Sequence, residues 1–589
     1  MNIDLRANPF FLTEEDCDWV HETIAAMNDE EKVGQLFFQL TSSQKEEDLI
    51  ELIQTYHLGG CRYNPAPARE VWKQNRILQE NSKIPLFIAC NTESGGDGAC
   101  TDGTYIGNGM KIGATGNHDY AEDMGRMGNA EAAAIGCNMA FAPVCDIYYN
   151  PMNTEISTRA FSNDPEMVKK CSVEYVRGAH QNTDFACVAK HFPGNGVDYR
   201  DAHLSNHVND FSPKHWDETY GMVYKELIEN GVEGIMGGHI MLPEYVRELA
   251  PELPEEEVWM PATLNKTLMT TLLRDKLGFQ GVVVTDASHM VAMTNQMTRK
   301  EMLPRAINAG CDMFLFFNDP QEDFQTMLTA YQRGVISEER MTEALTRILG
   351  IKARLQLHKK SAAEMVPEKD TLDRVLGNEE FKKKQSDISE KSLTLVKYKD
   401  KDVLPISPEK YKKVMIVHLK GHETGMVELL KLCGMEGKNP AETVKQKLCE
   451  RGYDAYVYES PLDQMKQKAL KGEKPDLNIY FAGKNAISEF REQADLVITL
   501  CDVMAGRPSF GMSKGGGEIP WYVFEVPVIA VGCGQPTMLS DIPQVRTYIN
   551  IYDAKENTLE KLIEALSSGA DAFVGKDPID SFCGLQDTK

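Results

Sequence analysis

The sequence predicts an α/β protein in which an N-terminal (β/α)8 barrel is followed by a C-terminal α/β sandwich domain. Three observations carry that expectation. Eight short apolar, β-rich runs recur between residues 36 and 317, with amphipathic, helix-like stretches between them. A charged, weakly patterned segment interrupts the pattern, and a second alternation of the same kind follows it. At 589 residues, 42 % of them hydrophobic, the chain is also too long for one ordinary core and well supplied for two.

In chain order, the runs read as strands are "LFFQL" (36–40), "GGCRY" (59–63), "PLFIACN" (85–91), "MAFAPVCD" (139–146), "FACVAKHF" (185–192), "GIMGGHI" (234–240), "GVVVTD" (281–286) and "DMFLFF" (312–317). They are short, rich in β-branched and aromatic residues, and spaced by helix-length stretches, as alternating βα units of a TIM-like barrel require. A last helix near 338–355 closes the barrel domain, expected over 1–355. Residues 356–390, "KKSAAEMVPEKDTLDRVLGNEEFKKK" among them, are expected to connect. The second domain, 391–589, carries "KVMIVHL" (413–419), "AYVYE" (455–459), "ADLVITLCD" (494–502), "VPVIAVGCG" (526–534) and "TYINIYD" (547–553), separated by helical stretches such as "AETVKQKLCERG".

Composition excludes some partners. A formal charge of −25 argues against nucleic acid and against an anionic membrane surface, since either needs clustered Lys and Arg. Fourteen cysteines without a CxxC pair read as reduced thiols rather than disulfides or a zinc site. The opening "MNIDLRANPFFLTEEDCDW" lacks a basic stretch followed by an apolar core, and no apolar run reaches about 18 residues. A cytoplasmic location is expected.

Polar residues fall repeatedly where the predicted barrel strands end, the face that carries barrel chemistry. Asn91 and Glu93 follow the third strand and Asp146 the fourth; Lys190 and His191 end the fifth, His239 the sixth and Asp286 the seventh. Any one could cap a helix; five strand ends in register point to a site. A carboxylate placed like Asp286 can serve as nucleophile, base, metal ligand or N-cap. In "KHFPGNGVDYRDAHLSNH" (190–207) a loop can fold Asp201 onto His203, making a proton carrier suited to neutral pH. Zinc is the rival chemistry, because His191, Asp201, His203, His207 and His239 would supply ligands, although no HxH or HExxH element fixes two of them together.

These segments are recognisable. "KHFPGNGVDYRDAH" resembles the KHFPGHG…DSH signature of glycoside hydrolase family 3, in its β-N-acetylhexosaminidase branch, and "GFQGVVVTDASHM" resembles that family's nucleophile segment. The similarity runs through "NDEEKVGQLF", "FAPVCDIYYNPMNTEISTRAFSNDPEMV" and "PATLNKTLMTTLLRDKLGF" into the C-terminal part. The resemblance implies a barrel followed by an α/β sandwich, no cofactor or metal, and hydrolysis of small β-linked glycans with retention through a glycosyl-enzyme intermediate. It implies Asp286 as nucleophile, His203 supported by Asp201 as acid/base, and Arg159, Lys190, His191 and Asp146 as residues holding the sugar. For some relatives it also implies phosphate in place of water. Two positions depart from the pattern. Asn91 stands where the D-x-E-G-G segment has its aspartate, and Asn195 replaces a signature histidine, so GalNAc, an unacetylated hexose, or sugar binding without turnover stay open. Glu518, in "AGRPSFGMSKGGGEIPW" (505–521), is a rival acid/base, because other branches draw that group from the second domain.

Overall fold

A computed structural model describes the chain except for residues 1–2, 42–44, 65, 183–184, 422–436, 460, 475–486, 504–519 and 583–589. Two compact units result: residues 1–109 with 118–384, and residues 110–117 with 385–589.

The first unit is a closed barrel of eight parallel strands: β1 (Phe37–Thr41), β2 (Gly60–Tyr63), β3 (Phe87–Cys90), β4 (Met139–Ala140), β5 (Ala186–Phe192), β6 (Gly234–Gly237), β7 (Val282–Ala287) and β8 (Met313–Leu315). Each strand pairs with the next in sequence, and β8 closes on β1 through Phe37↔Phe314. Two strands are shorter than their apolar runs. β4 stops before Pro143, which has no N–H for the ladder, although Cys145 N still donates to Lys190 O at 2.9 Å. The run after β6 leaves the barrel, and Ile240–Met241 pairs with His207–Val208 in a separate two-stranded ribbon.

Strand alternation fixes what lines the lumen. Phe38 of β1 packs on Phe141 beyond β4, ring centroids 5.3 Å apart, and a side chain on Gly60 would meet the Phe38 ring at 2.5 Å. Gly60 therefore faces the lumen, and Arg62, two residues on, faces it one layer nearer the carboxyl end. The amino ends of the strands are held by buried charge. Asp312, before β8, accepts from Arg274 and Arg340 at 2.7 Å each and lies 3.3 Å from Arg347, while Glu233, before β6, meets His180 and Arg354. Residues 362–375, expected to connect, form short helices in the first unit, with Val366 buried against Gly136 and Pro367 O accepting from Trp72 Nε1.

The second unit contains a six-stranded sheet of β9 (Thr394–Tyr398), β10 (Lys413–Lys420), β11 (Asp454–Val457), β12 (Leu496–Asp502), β13 (Val528–Gly532) and β14 (Thr547–Asn550), ordered β9-β14-β13-β12-β10-β11. Only β9 runs antiparallel. Val414 and Ile416 pack into one core and Met415 and Val417 into another, so β10 is buried on both faces and reads as a continuous apolar run.

Candidate active site

The site is assembled at the carboxyl ends of the barrel strands, beginning with Asp286 on the last turn of β7. Its Oδ1 accepts from Ala287 N at 2.7 Å, and Oδ2 lies 3.9 Å from His191 Nε2. Burial alone would push this carboxyl up. The attractions of His191, His239 and Lys190 outweigh it and hold Asp286 below the usual aspartate value, so it is ionised.

Asp146 sets the orientation of His191. Fully buried, it accepts from His191 Nδ1 at 2.7 Å, from His191 N at 3.1 Å and from Asn195 N at 2.7 Å. A carboxylate only accepts, so Nδ1 carries the proton and Nε2 is turned toward Asp286. Asp146 thus acts behind His191 rather than at the open face. His239 is held in the same manner: Nε2 donates to Ala287 O at 3.0 Å, and Nδ1 accepts from Thr263 Oγ1 at 2.8 Å. Burial pushes its pKa down, against the opposing attraction of Asp286.

Glu93 joins two cations. Arg159 grips it with Nε at 2.8 Å and Nη2 at 3.0 Å, and Lys190 Nζ stands 2.5 Å from its Oε1. Burial opposes the charge on Glu93, but Arg159 and Lys190 overcome it and hold the carboxyl well below its usual range. The bidentate fork, with Nη1 donating to Glu155 O at 3.3 Å, fixes the Arg159 guanidinium.

The loop after β5 carries the His203–Asp201 pair. His203 Nδ1 meets Asp201 Oδ1 at 2.7 Å, and His203 N donates to the same oxygen at 2.8 Å. With Nδ1 committed, Nε2 is the atom free to give and take a proton. The Asp201 hydrogen bond raises the His203 pKa above its ordinary value, against the pull of burial. His203 remains half-exposed, at 52 % of its side chain.

Several residues hold this loop that sequence reasoning did not single out. Glu155 Oε2 accepts from Asn195 Nδ2 at 3.0 Å and from Ala202 N at 3.2 Å, and Asn153 Nδ2 donates to Asn195 Oδ1 and Asp198 O. Ala292 N donates to Ala202 O at 3.1 Å and Val291 N to His203 O at 3.3 Å, which ties the loop to the segment just after Asp286. The turn before it requires glycine. Gly194 and Gly196 have φ of +122° and +110°, and a side chain on Gly196 would sit 1.8 Å from Ile147 O.

The five residues considered as zinc ligands do not converge. His191, His207 and His239 are bonded to Asp146, Arg200 O and Thr263 respectively, whereas Glu155, Asp201 and His203 bring ligand atoms within 4.8 Å of one another. Asn91 follows β3 with its Oδ1 buried and unpartnered. Glu518 lies outside the described residues.

Residues 29–351 match the Glycosyl hydrolase family 3 N terminal domain. The chain belongs to glycosyl hydrolase family 3. As a member of that family it is a glycoside hydrolase. It is 36 % identical over the full length of both chains to a protein of Cellulomonas fimi named beta-N-acetylglucosaminidase/beta-glucosidase. It is 27 % identical over 63 % of its length to a Pseudoalteromonas piscicida protein named beta-hexosaminidase A, covering 64 % of that protein. Among solved structures, beta-glucoside phosphorylase BglX superposes with a TM-score of 0.88 at 33 % identity, covering 99 % of each chain. A family 3 beta-N-acetylglucosaminidase from a Paenibacillus strain superposes at 0.76 with 25 % identity, covering 94 % of this chain and 99 % of its own. No described helix is long and apolar enough to cross a membrane.

Proposed function

We propose that this protein is a retaining exo-β-N-acetylhexosaminidase that removes terminal β-linked GlcNAc from small glycans. The observation that carries the reading is an ionised Asp286 facing the barrel mouth beside a loop whose His203–Asp201 pair supplies a proton carrier. Asp286 attacks the anomeric carbon as the glycosidic C–O bond breaks, and His203 Nε2 gives its proton to the leaving oxygen. Water then attacks the glycosyl-Asp286 ester, His203 takes its proton back, and the carboxylate is released. Lys190, Arg159, Glu93 and His191 hold the sugar's hydroxyls. The names carried by the Cellulomonas and Paenibacillus proteins support the sugar assignment, while the first also includes β-glucosides. Twelve described cysteines without a disulfide support a cytoplasmic setting.

A second acceptor is favoured by the same pair. A carboxylate acid/base is anionic after giving up its proton and repels an incoming anion, whereas deprotonated His203 is neutral. Phosphate needs no base to attack, so it competes with water and yields a sugar 1-phosphate of retained configuration; the name of the BglX structure is consistent with this.

The test is covalent. Incubation with a slow 2-fluoro sugar labels a single peptide containing Asp286, and Asp286→Ala loses essentially all turnover; a label elsewhere overturns the assignment. An aryl-glycoside panel of GlcNAc, GalNAc, Glc and Xyl ranks the sugars, and phosphorus NMR in phosphate buffer reads the second acceptor.

A further inference from the structure

Arg62 lies at the carboxyl end of β2, on the lumen face established by Gly60 and Phe38. In the β2–β3 register it sits beside Ala89, which places Asn91, two residues on, next to it at the barrel mouth. The Arg62 side chain makes no hydrogen bond or ion pair among the described residues, and Asn91 Oδ1 is buried without a partner. Glu93, near enough to attract Arg62, is already taken by Arg159 and Lys190.

A part-buried guanidinium without a carboxylate is costly to keep, and a protein that retains one has left its partner to something that binds. Its chemistry limits that partner, because guanidinium has five N–H donors and no acceptor, so it takes oxygen atoms. The barrel fixes which oxygens. β3 and β7 are four strands apart in either direction around the closed barrel, hence opposite each other across the mouth. C1 and C4 are likewise opposite across a pyranose ring. With C1 over Asp286 at the end of β7, the ends of β2 and β3 meet the C4–C6 end of the same sugar.

We infer that Arg62 is a specificity-determining residue that donates hydrogen bonds to the C4 and C6 oxygens of the bound glycon, beside Asn91, so that the site selects a hexopyranose carrying both hydroxyls. The inference rests on Asp286 being the nucleophile and adds the residue that reads the far end of the ring. Xylo-configured and deoxy sugars are the substrates it disfavours.

The experiment compares the best aryl glycoside of the wild type with its 4-deoxy and 6-deoxy forms, in wild type, Arg62→Ala and Arg62→Lys. Rates are expressed per active site titrated with the 2-fluoro sugar, so unfolded protein does not count, and Arg62→Lys carries the comparison if Arg62→Ala does not fold. The wild type loses about 10- to 100-fold in kcat/KM on removal of at least one of the two hydroxyls, the size of a charge-assisted hydrogen bond. Arg62→Ala loses a similar factor on the parent glycoside and little more on that deoxy sugar, and Arg62→Lys falls between. Full retention of the deoxy penalty in Arg62→Ala, or an unchanged rate on the parent, overturns the inference. A label found away from Asp286 in the wild type defeats instead the functional reading on which it rests.

Discussion

In the proposed mechanism His203 must hold a proton when substrate arrives while Asp286 must not, and their surroundings separate the two titrations. Asp286 is held below the usual aspartate value of about 3.9 and His203 above the usual histidine value of about 6.5. The pH profile of kcat/KM is therefore a bell whose acid limb belongs to Asp286 and whose alkaline limb belongs to His203. Asp201→Asn removes the charge and weakens the hydrogen bond that raise His203, so the alkaline limb moves to lower pH while the acid limb stays. His203→Ala slows glycosides with poor leaving groups by about 10²- to 10⁴-fold, the usual worth of a proton donor, and activated aryl glycosides far less. Equal losses across leaving groups would make His203 a binding residue.

The loop between β5 and the ribbon strand His207–Val208 carries the proposed proton donor, and it has little regular structure of its own. It is held by Glu155, by Asn153, by Trp216 Nε1 donating to Pro193 O, and by Tyr220 donating to Asn195 O. Glu155→Ala unties Ala202 and Asn195 together. The expected result is a loss of about 10- to 100-fold in kcat/KM for poor leaving groups from misplaced acid catalysis, with labelling of Asp286 by an activated 2-fluoro sugar nearly unchanged. Slowed labelling to the same degree would place Glu155 at the nucleophile instead. Strands of this barrel were legible because parallel strands buried on both faces leave unbroken apolar runs. β9 was not, since "TLVKY" is a half-buried edge strand at Thr394–Tyr398 whose lysine interrupts the signal.

At the scale of the whole molecule, the chain leaves the first unit after Gly109, contributes 110–117 to the second, and returns before β4. Lys111, fully buried there, bonds Asp553 at 2.7 Å, Ser389 at 2.9 Å and Thr558 at 2.6 Å. Lys111→Met leaves the Asp553 carboxylate without its cation, and denaturant unfolding should show a loss of about 3–5 kcal/mol; a change within about 0.5 kcal/mol would mean the pair contributes nothing net. The sequence gives no sign of this insertion, because eight residues between two strands carry no pattern. The site was more legible. Asp286, His203 and Asp201 stand out by their places at a strand end and on a glycine-rich turn. Glu155 and Arg62 do not, since a loop glutamate resembles any surface residue and an arginine inside an apolar run shows its direction only when the barrel closes.

In the proposed mechanism, a histidine at the open rim, neutral once its proton is gone, leaves the fate of the glycosyl-enzyme to the composition of the medium. Water alone would dissipate the free energy of the glycosidic bond, whereas abundant phosphate would conserve it in a phosphate ester. One unchanged protein would then degrade glycans in one solution and harvest activated sugar in another. In the proposed mechanism, the neutrality of His203 after proton transfer thus makes the balance between waste and recovery a property of the phosphate level around the enzyme.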